Sequence, residues 1–181
     1  MEDEEESLPV KINTTRSRAK KGMTRKNNTS NRPEEILVHD IIKSTLPDID
    51  EIKTQHKPPN IVPLKGTDLT GERSPKIDVY FRIGTRHYAV RVMGPIHDEW
   101  KRENYDFIQR TFLEMQPEKW AVIDFNYVTM QNVFRRNKRK LLRGELILAY
   151  NEVKKYLLPF GLNLITPSDR ILEKLAISHC N

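Results

Sequence analysis

The sequence predicts an α/β domain in which helices flank a mixed β-sheet. Three observations lead to this fold class: a hairpin with strand periodicity, an amphipathic helical stretch after it, and a short continuous apolar run that follows. A strand reached through a helix can lie parallel to the strand before that helix, which is how α/β sheets are built. The 181 residues suffice for one such domain and a tail.

The hairpin lies between residues 77 and 93. Apolar residues occupy every second position from Ile77 to Ile83, which is the period of a β-strand. Gly84 and Thr85 then form a two-residue loop, with glycine at the first central position as a type II′ turn requires. The return strand is predicted to span residues 87–93.

A helix and a third strand are predicted next. The helix begins near Asp98, whose side chain can cap it, and ends before Pro117. One apolar stripe is expected along it, at Tyr105, Ile108, Phe112 and Met115, with Gln109 and Arg110 on the polar face. Residues 120–123 are continuously apolar, as in a strand that is covered on both faces.

A further helix is predicted before this core, over residues 33 to about 44. Pro33 suits the first helical position, and Glu35 shares a helix face with Val38 and Ile42. Residues 47–75 are expected to be loops with one short strand near residues 61–64.

The C-terminal third is predicted to be mostly helical. Thr129 can cap one helix. A second helix spans residues 145–158, with an apolar stripe at Leu146, Ala149, Val153 and Leu157. A last strand is expected over residues 162–165, and Ser168 can cap a terminal helix.

Residues 1–32 are predicted to be a disordered tail, and residues 33–181 the folded domain. The tail is acidic over residues 2–6 and then carries eight basic residues and no acidic one up to Arg32, including Lys20 and Lys21. Such a segment cannot bury enough apolar surface to offset the entropy lost on ordering. Three roles stay open: a solubilising tail, a flexible arm that neutralises phosphates, and a nuclear localisation signal.

The charge of the chain favours a polyanionic partner. The net charge is +6, and six cations fall within nine residues that contain no acid. We call them the basic cluster: Arg135, Arg136, Lys138, Arg139, Lys140 and Arg143. Like charges four residues apart destabilise a helix, and a phosphate partner would remove that cost; the alternative is a solvated helix face. Few aromatic residues lie near the cluster, so stacking on single strands is not indicated.

Composition excludes several classes of protein. No run of about 18 apolar residues offers a membrane helix, and the acidic N-terminus lacks the apolar core of a secretory signal. The single cysteine, Cys180, allows neither an intramolecular disulfide nor a cysteine-rich zinc site. We therefore expect an intracellular protein, in the cytoplasm or nucleoid, or in the nucleus of a eukaryote.

Five segments follow one another in a distinctive order. They are Ile77-Asp78-Val79-Tyr80-Phe81, residues 88–98 with Gly94-Pro95-Ile96-His97, Tyr105-Asp106, Arg110 with Phe112-Leu113, and residues 121–125. In this order they resemble the very-short-patch-repair-like endonucleases, a branch of the PD-(D/E)XK nuclease superfamily. The resemblance implies a restriction-endonuclease-like α/β/α core and DNA rather than RNA as partner. It also implies a catalytic site with Asp78, His97 and, on a preceding helix, Glu35.

Two positions depart from the pattern of that family. Its nucleases hold Mg²⁺ with an aspartate on the first hairpin strand and an acidic residue on the second, and a polar residue two positions later acts on water or metal. Asp78 matches the first position, but Arg91 and Met93 stand at the other two. A cation repels Mg²⁺ and a thioether binds it poorly. We therefore predict a nucleic-acid-binding pseudoenzyme without a cofactor, in which Arg91 contacts a phosphate.

Other functions stay open. An active endonuclease with a rearranged site would use Mg²⁺, with Asp78 as metal ligand and Glu35, His97 or Asp124 beside it. A scaffold subunit would use the fold for protein contacts alone, in a homodimer or with another protein partner. Structural roles are the other alternative: a cross-strand pair of Asp78 with Arg91, a helix-dipole role for Glu35 and an exposed loop position for His97.

Overall fold

The computed structural model describes residues 33–57, 76–93, 100–126 and 142–179, without the side chains of residues 100–106. Its elements are α1 (Pro33–Thr45), β1 (Glu51–His56), β2 (Ile77–Ile83), β3 (Arg86–Met93), α2 (Trp100–Glu114), β4 (Lys119–Asn126), α3 (Arg143–Leu157), a 3₁₀ turn (Leu158–Phe160) and α4 (Asp169–Ser178). No helix in these ranges is both long enough and apolar enough to cross a membrane. The predicted tail, the predicted strand at residues 61–64 and Thr129 lie outside the described residues.

The four strands form one mixed sheet in the order β1-β2-β3-β4. Strand β2 is antiparallel to β1 and to β3, whereas β4 is parallel to β3. The hairpin is confirmed, since Ile83 pairs with Arg86 around the loop and Gly84 has a φ of 56°, a conformation that glycine adopts without strain. The parallel placement of β4 confirms the predicted α/β class and mixed sheet.

Both faces of the sheet are buried against helices. On one face, Val79 and Val90 belong to a core that they share with α1, α3 and α4; we call this the α1 face. On the other, Val122 packs with Phe112 and Leu113 of α2; this is the α2 face. Burial on both sides explains why β4 is continuously apolar.

Helices α3 and α4 follow the prediction, but the predicted last strand does not form. The apolar stripe of α3 is buried, and the Ser168 hydroxyl caps α4 by accepting a hydrogen bond from the Ile171 amide at 3.4 Å. Residues 162–165 have no regular secondary structure. Leu162 and Leu164 are buried in the α1-face core, so their alternation serves packing against helices and not sheet pairing.

Strand β1 lies within residues 47–75, which the sequence predicts to be loops, and that part of the prediction is wrong. Ile52 is the one apolar residue of the strand, so no apolar alternation marks it. Strand β1 is an outer strand of the described sheet, and none of its residues is fully buried. Its pairing with β2, and not a hydrophobic pattern, defines it.

Helix α2 turns a different face to the sheet from the predicted apolar stripe. Phe112 is buried as predicted, but Ile108 is 36% and Met115 is 65% exposed, and the side chain of Tyr105 is outside the described structure. Among residues 107–114, the buried positions are Gln109, Phe112 and Leu113. Gln109, predicted on the polar face, turns inward because a buried arginine on β3 uses its amide as a partner.

Asp40 links α1 to the end of α4. Its carboxylate oxygens lie 3.1 Å from the His179 Nε2 and 2.8 Å from the His39 Nδ1. Burial alone would raise the pKa of Asp40, but the hydrogen bonds with both imidazoles outweigh burial and hold the pKa well below its ordinary value. Ionised Asp40 therefore stabilises the fold above its ordinary pKa, and this contribution is lost as the pH falls towards the native pKa.

We expect Asp40→Asn to lower the free energy of unfolding by about 1–3 kcal/mol at pH 7, because a charged hydrogen-bond acceptor is lost. The difference from the wild type should shrink below about pH 4, where the unfolded wild type binds a proton at Asp40. Urea denaturation followed by circular dichroism at a series of pH values measures it. Asp48→Asn, at an exposed turn position with a φ of 62°, is the control. If the difference in the free energy of unfolding between Asp40→Asn and the wild type did not vary with pH, the role of the ionised carboxylate would be contradicted.

Candidate functional site

Glu35 of α1 and Asp78 of β2 converge on Gln55 of β1. The Gln55 Nε2 donates to Glu35 Oε2 at 2.6 Å and to Asp78 Oδ1 at 3.3 Å. One amide group therefore joins two carboxylates from different elements. Of the three residues predicted to form a catalytic site, the structure brings these two together, and the third, His97, lies outside the described residues.

Glu35 reaches this place from the first turn of α1. It lies on the helix face of Val38 and Ile42, which are completely buried, and is itself 5% exposed. This confirms the predicted position of Glu35 on the core face of the helix. A buried carboxylate is costly without polar partners, and Gln55 is one such partner. The positive end of the helix dipole adds a further stabilising contribution.

Asp78 lies where the alternation of β2 is interrupted. Ile77 packs in the α2-face core, yet Val79, two positions later, packs in the α1-face core, so the strand rotates between them. The Asp78 Oδ2 accepts a hydrogen bond from the backbone N–H of Val92 on β3 at 2.7 Å. The Asp78 carboxylate is thus bound from both neighbouring strands, by Gln55 of β1 and Val92 of β3.

The backbone of Gln55 is unusual. Gln55 lies between the paired residues Thr54 and His56 of β1 and has a φ of 49°. A residue other than glycine in this left-handed region costs roughly 1–3 kcal/mol, and such residues cluster at functional sites. No local pattern in the sequence marks Gln55 as a site residue, because only the pairing of β1 with β2 brings it to Asp78.

The strand beside this site presents valines and not carboxylates. Val90 and Val92 belong to the α1-face core, the face on which Glu35 lies. Arg91, which the resemblance aligns with the second metal ligand, points to α2 on the other face. No residue of β3 is acidic, so neither face of this strand supplies a second carboxylate.

Arg91 has its own buried network on the α2 face. Its Nε and Nη2 bind Asp124 Oδ1 at 2.6 and 2.5 Å, and its Nη1 donates to Gln109 Oε1 at 3.2 Å. Arg91 is 5% exposed, so its charge is compensated inside the protein. This burial is at odds with the predicted phosphate contact and gives Arg91 a structural role between β3, β4 and α2.

Asp124 is the other carboxylate that a rearranged site would use. Its second oxygen binds the Arg110 guanidinium at 3.0 Å, so two arginines share this carboxylate. Asp124 is therefore held on the α2 face, on the opposite side of the sheet from Glu35. Arg91 of β3 therefore forms its ion pair with Asp124 on the parallel neighbouring strand β4.

Most of the predicted phosphate contacts lie outside the described residues. These are Lys20, Lys21, Arg135, Arg136, Lys138, Arg139 and Lys140. Arg143, the last cation of the basic cluster, begins α3, where it is exposed and binds Asp169 Oδ1 of α4 at 2.5 Å. An exposed ion pair of this kind contributes little to stability, so Arg143 stays accessible to a phosphate.

The residues around Gln55 are a poor set of ligands for Mg²⁺ as they are arranged. The ion prefers several oxygen donors, whereas Gln55 directs its amide nitrogen at both carboxylates. Within the part of the chain that the structure describes, no group of three or more His, Cys, Asp or Glu residues is placed to hold a metal ion. The arrangement suits charge compensation by a hydrogen-bond donor.

We expect Gln55→Ala to lower the free energy of unfolding by about 1–3 kcal/mol, because two carboxylates lose an amide donor that they share. Gln55→Glu should cost more at pH 7, since another negative charge replaces the donor, and the loss should diminish at low pH. Urea denaturation measures both variants. Gln116→Ala, which removes an amide that donates to the Phe112 carbonyl at 3.0 Å, is the matched control and should cost less. Equal stability of Gln55→Ala and the wild type would count against the shared hydrogen bond.

Comparison with known proteins does not show a family for this chain. No protein-family model, no curated protein and no solved structure matches it. The function is therefore inferred from the residues and geometry given above.

Proposed function

We propose that this protein binds nucleic acid, DNA rather than RNA, through a nuclease-like α/β domain that does not cut it. The observation that carries the proposal is the Gln55 amide between the Glu35 and Asp78 carboxylates. In a metal-dependent nuclease, a divalent cation compensates the charge of such carboxylates. Here the neutral Gln55 side chain stabilises the two carboxylates by donating hydrogen bonds to them. The acidic residues are therefore kept while the metal chemistry is absent from the proposed function.

The residues beside the carboxylates support binding over cleavage. Metal-assisted cleavage of a phosphodiester needs ligands that place the ion and a group that activates water. Val90 and Val92 supply neither, and Arg91 is bound to Asp124 on the other face of the sheet. The proposed role of the domain is to hold the nucleic acid and not to hydrolyse it.

The phosphate contacts are proposed to come from exposed cations. The tail, with Lys20 and Lys21, and the basic cluster supply them, and Arg143 at the start of α3 is an exposed member of that cluster. Cations that neutralise phosphates release counterions, so the affinity should fall steeply with salt. Phosphate contacts fix position without reading bases, and the proposed binding is therefore tolerant of sequence.

We expect the dissociation constant for a DNA duplex to rise about 10³–10⁵-fold between about 50 and 200 mM salt if the protein contacts roughly six to ten phosphates. Replacing Arg135, Arg136 and Arg139 by glutamine should weaken binding and reduce the salt slope by about 0.9 for each phosphate that the variant no longer neutralises. Fluorescence anisotropy with a labelled duplex measures both quantities.

Lys43, Lys119 and Lys174 provide the matched control for that experiment. All three are exposed, and their replacement by glutamine removes the same net charge from other parts of the chain. If the two triple variants bind alike, the basic cluster is not the contact surface. An affinity that does not change with salt would overturn the proposal as a whole.

A second candidate function is a metal-dependent endonuclease with a rearranged site. The observation in its favour is that Glu35 and Asp78 lie together, as this function requires. If the Gln55 side-chain amide rotated so that Nε2 and Oε1 exchanged places, Oε1 would join the two carboxylates as a third oxygen donor for Mg²⁺. The bound ion would then supply charge stabilisation at the phosphodiester oxygens.

Supercoiled plasmid incubated with the protein and Mg²⁺ or Mn²⁺ distinguishes the two functions. Our proposal expects no nicking, and DNA binding that chelation by EDTA leaves unchanged, because Gln55 and not an ion compensates the carboxylates. Nicking that Asp78→Asn abolishes and Asp48→Asn preserves would establish the endonuclease instead. Asp48 is the matched control because it is an exposed aspartate of a turn.

A further inference from the structure

The α2 face carries four rings, one from each strand of the sheet. We call them the ring row: His56 of β1, Tyr80 of β2, His87 of β3 and Trp120 of β4. The centroids of His56 and Tyr80 lie 4.2 Å apart with 23° between the ring planes, and those of His87 and Trp120 lie 4.9 Å apart with 25°. Tyr80 stands 5.8 Å from Trp120 and 6.0 Å from His87. The rings thus form two stacked pairs side by side across the sheet.

The ring row differs from an ordinary buried aromatic core. Tyr80 is 3% exposed, but His56, His87 and Trp120 are half-buried. The four rings line a cavity of about 220 Å³ whose other walls are Glu51, Lys53, Arg82 and Glu118. Four rings and four charged side chains thus converge on one cavity, and convergent polar groups beside aromatic surface can fix the orientation of a ligand.

The His56 and Tyr80 rings present neutral, flat surfaces at neutral pH. Burial lowers the pKa of His56, and the Lys53 charge lowers it further, so the imidazole is uncharged. Burial raises the pKa of Tyr80, whose hydroxyl oxygen lies 3.0 Å from the His87 Nδ1. Neutral aromatic rings are the surfaces on which nucleobases stack.

The carboxylates of the cavity are hydrogen-bond acceptors. The hydrogen bond from Lys53 lowers the pKa of Glu51 and so keeps this carboxylate ionised. Glu118 accepts a hydrogen bond from the Trp120 Nε1 at 3.1 Å through one of its two oxygens. Carboxylates accept the amino groups that guanine, cytosine and adenine carry, whereas thymine presents carbonyl oxygens instead. The cavity therefore favours a base with an amino group.

We propose that the ring row binds one unpaired base of the nucleic acid, with an amino-bearing base preferred to thymine. The base stacks on the half-buried rings of His56, His87 and Trp120, and its amino edge meets the carboxylates of Glu51 and Glu118 that line the same cavity. A cavity of about 220 Å³ is smaller than the roughly 300–1,000 Å³ of sites for larger ligands and suits a single base. This inference rests on the proposed function, because the base belongs to the bound strand.

Three labelled DNAs of matched sequence test the site: a full duplex, the duplex with one unpaired guanine, and the duplex with one unpaired thymine. In fluorescence anisotropy we expect the unpaired guanine to raise the affinity about 10-fold over the full duplex, the effect of one stacked base. Trp120→Leu should abolish this gain and leave the affinity for the full duplex unchanged. Glu51→Gln changes a side chain that is about one-third exposed and leaves the core intact; it should reduce the preference for guanine over thymine.

Phe107→Leu is the matched control, because it removes an exposed ring of α2 that is not part of the ring row. It should leave all three affinities unchanged. Guanosine monophosphate is the second probe: if the free nucleotide binds and the unpaired guanine in DNA gains nothing, the site belongs to a small molecule and the proposal is overturned. Equal affinity for the three DNAs would also overturn it and leave the proposed function intact. Failure to bind any of them at low salt would overturn the proposed function, and this inference with it.

Discussion

The buried guanidinium of Arg91 determines how the middle of the sheet meets its helices. A buried charge needs paired, hydrogen-bonded partners, and Arg91 has them in Asp124 of β4 and Gln109 of α2. These contacts fix α2 on one face and turn Gln109 inward. Because side chains alternate along a strand, Val90 and Val92 then face α1, on the side of the sheet where Glu35 lies. One ion pair thus gives the two faces of the sheet different chemistry.

The parts of the fold that depend on local pattern can be predicted from the sequence. Alternation marks β2, Gly84 marks the hairpin loop and Ser168 marks the start of α4. Strand β1 and the absence of a strand over residues 162–165 depend on contacts between distant parts of the chain, which no local pattern contains. The orientation of α2 is likewise not predictable from local pattern, because it depends on the contact of Gln109 with the buried Arg91, 18 residues away in the sequence.

In the candidate site, the carboxylates can be predicted but what surrounds them cannot. The resemblance places Glu35 and Asp78 in one site, and the two do lie together. Gln55 joins them through the register of β1 and β2, which sequence analysis does not predict. The ring row cannot be predicted for the same reason, because strand pairing brings together one ring from each strand on the α2 face. In the sequence these rings are far apart, and few aromatic residues lie near the basic cluster.

The Gln55 amide also determines when the site is complete. A metal ion has to be acquired from solution and can be withdrawn again, whereas this donor is in place as soon as β1 pairs with β2. The chain itself therefore supplies a hydrogen-bond donor to the Glu35 and Asp78 carboxylates as it folds. Under the proposed function, this site would be complete on folding, without an ion taken up from solution.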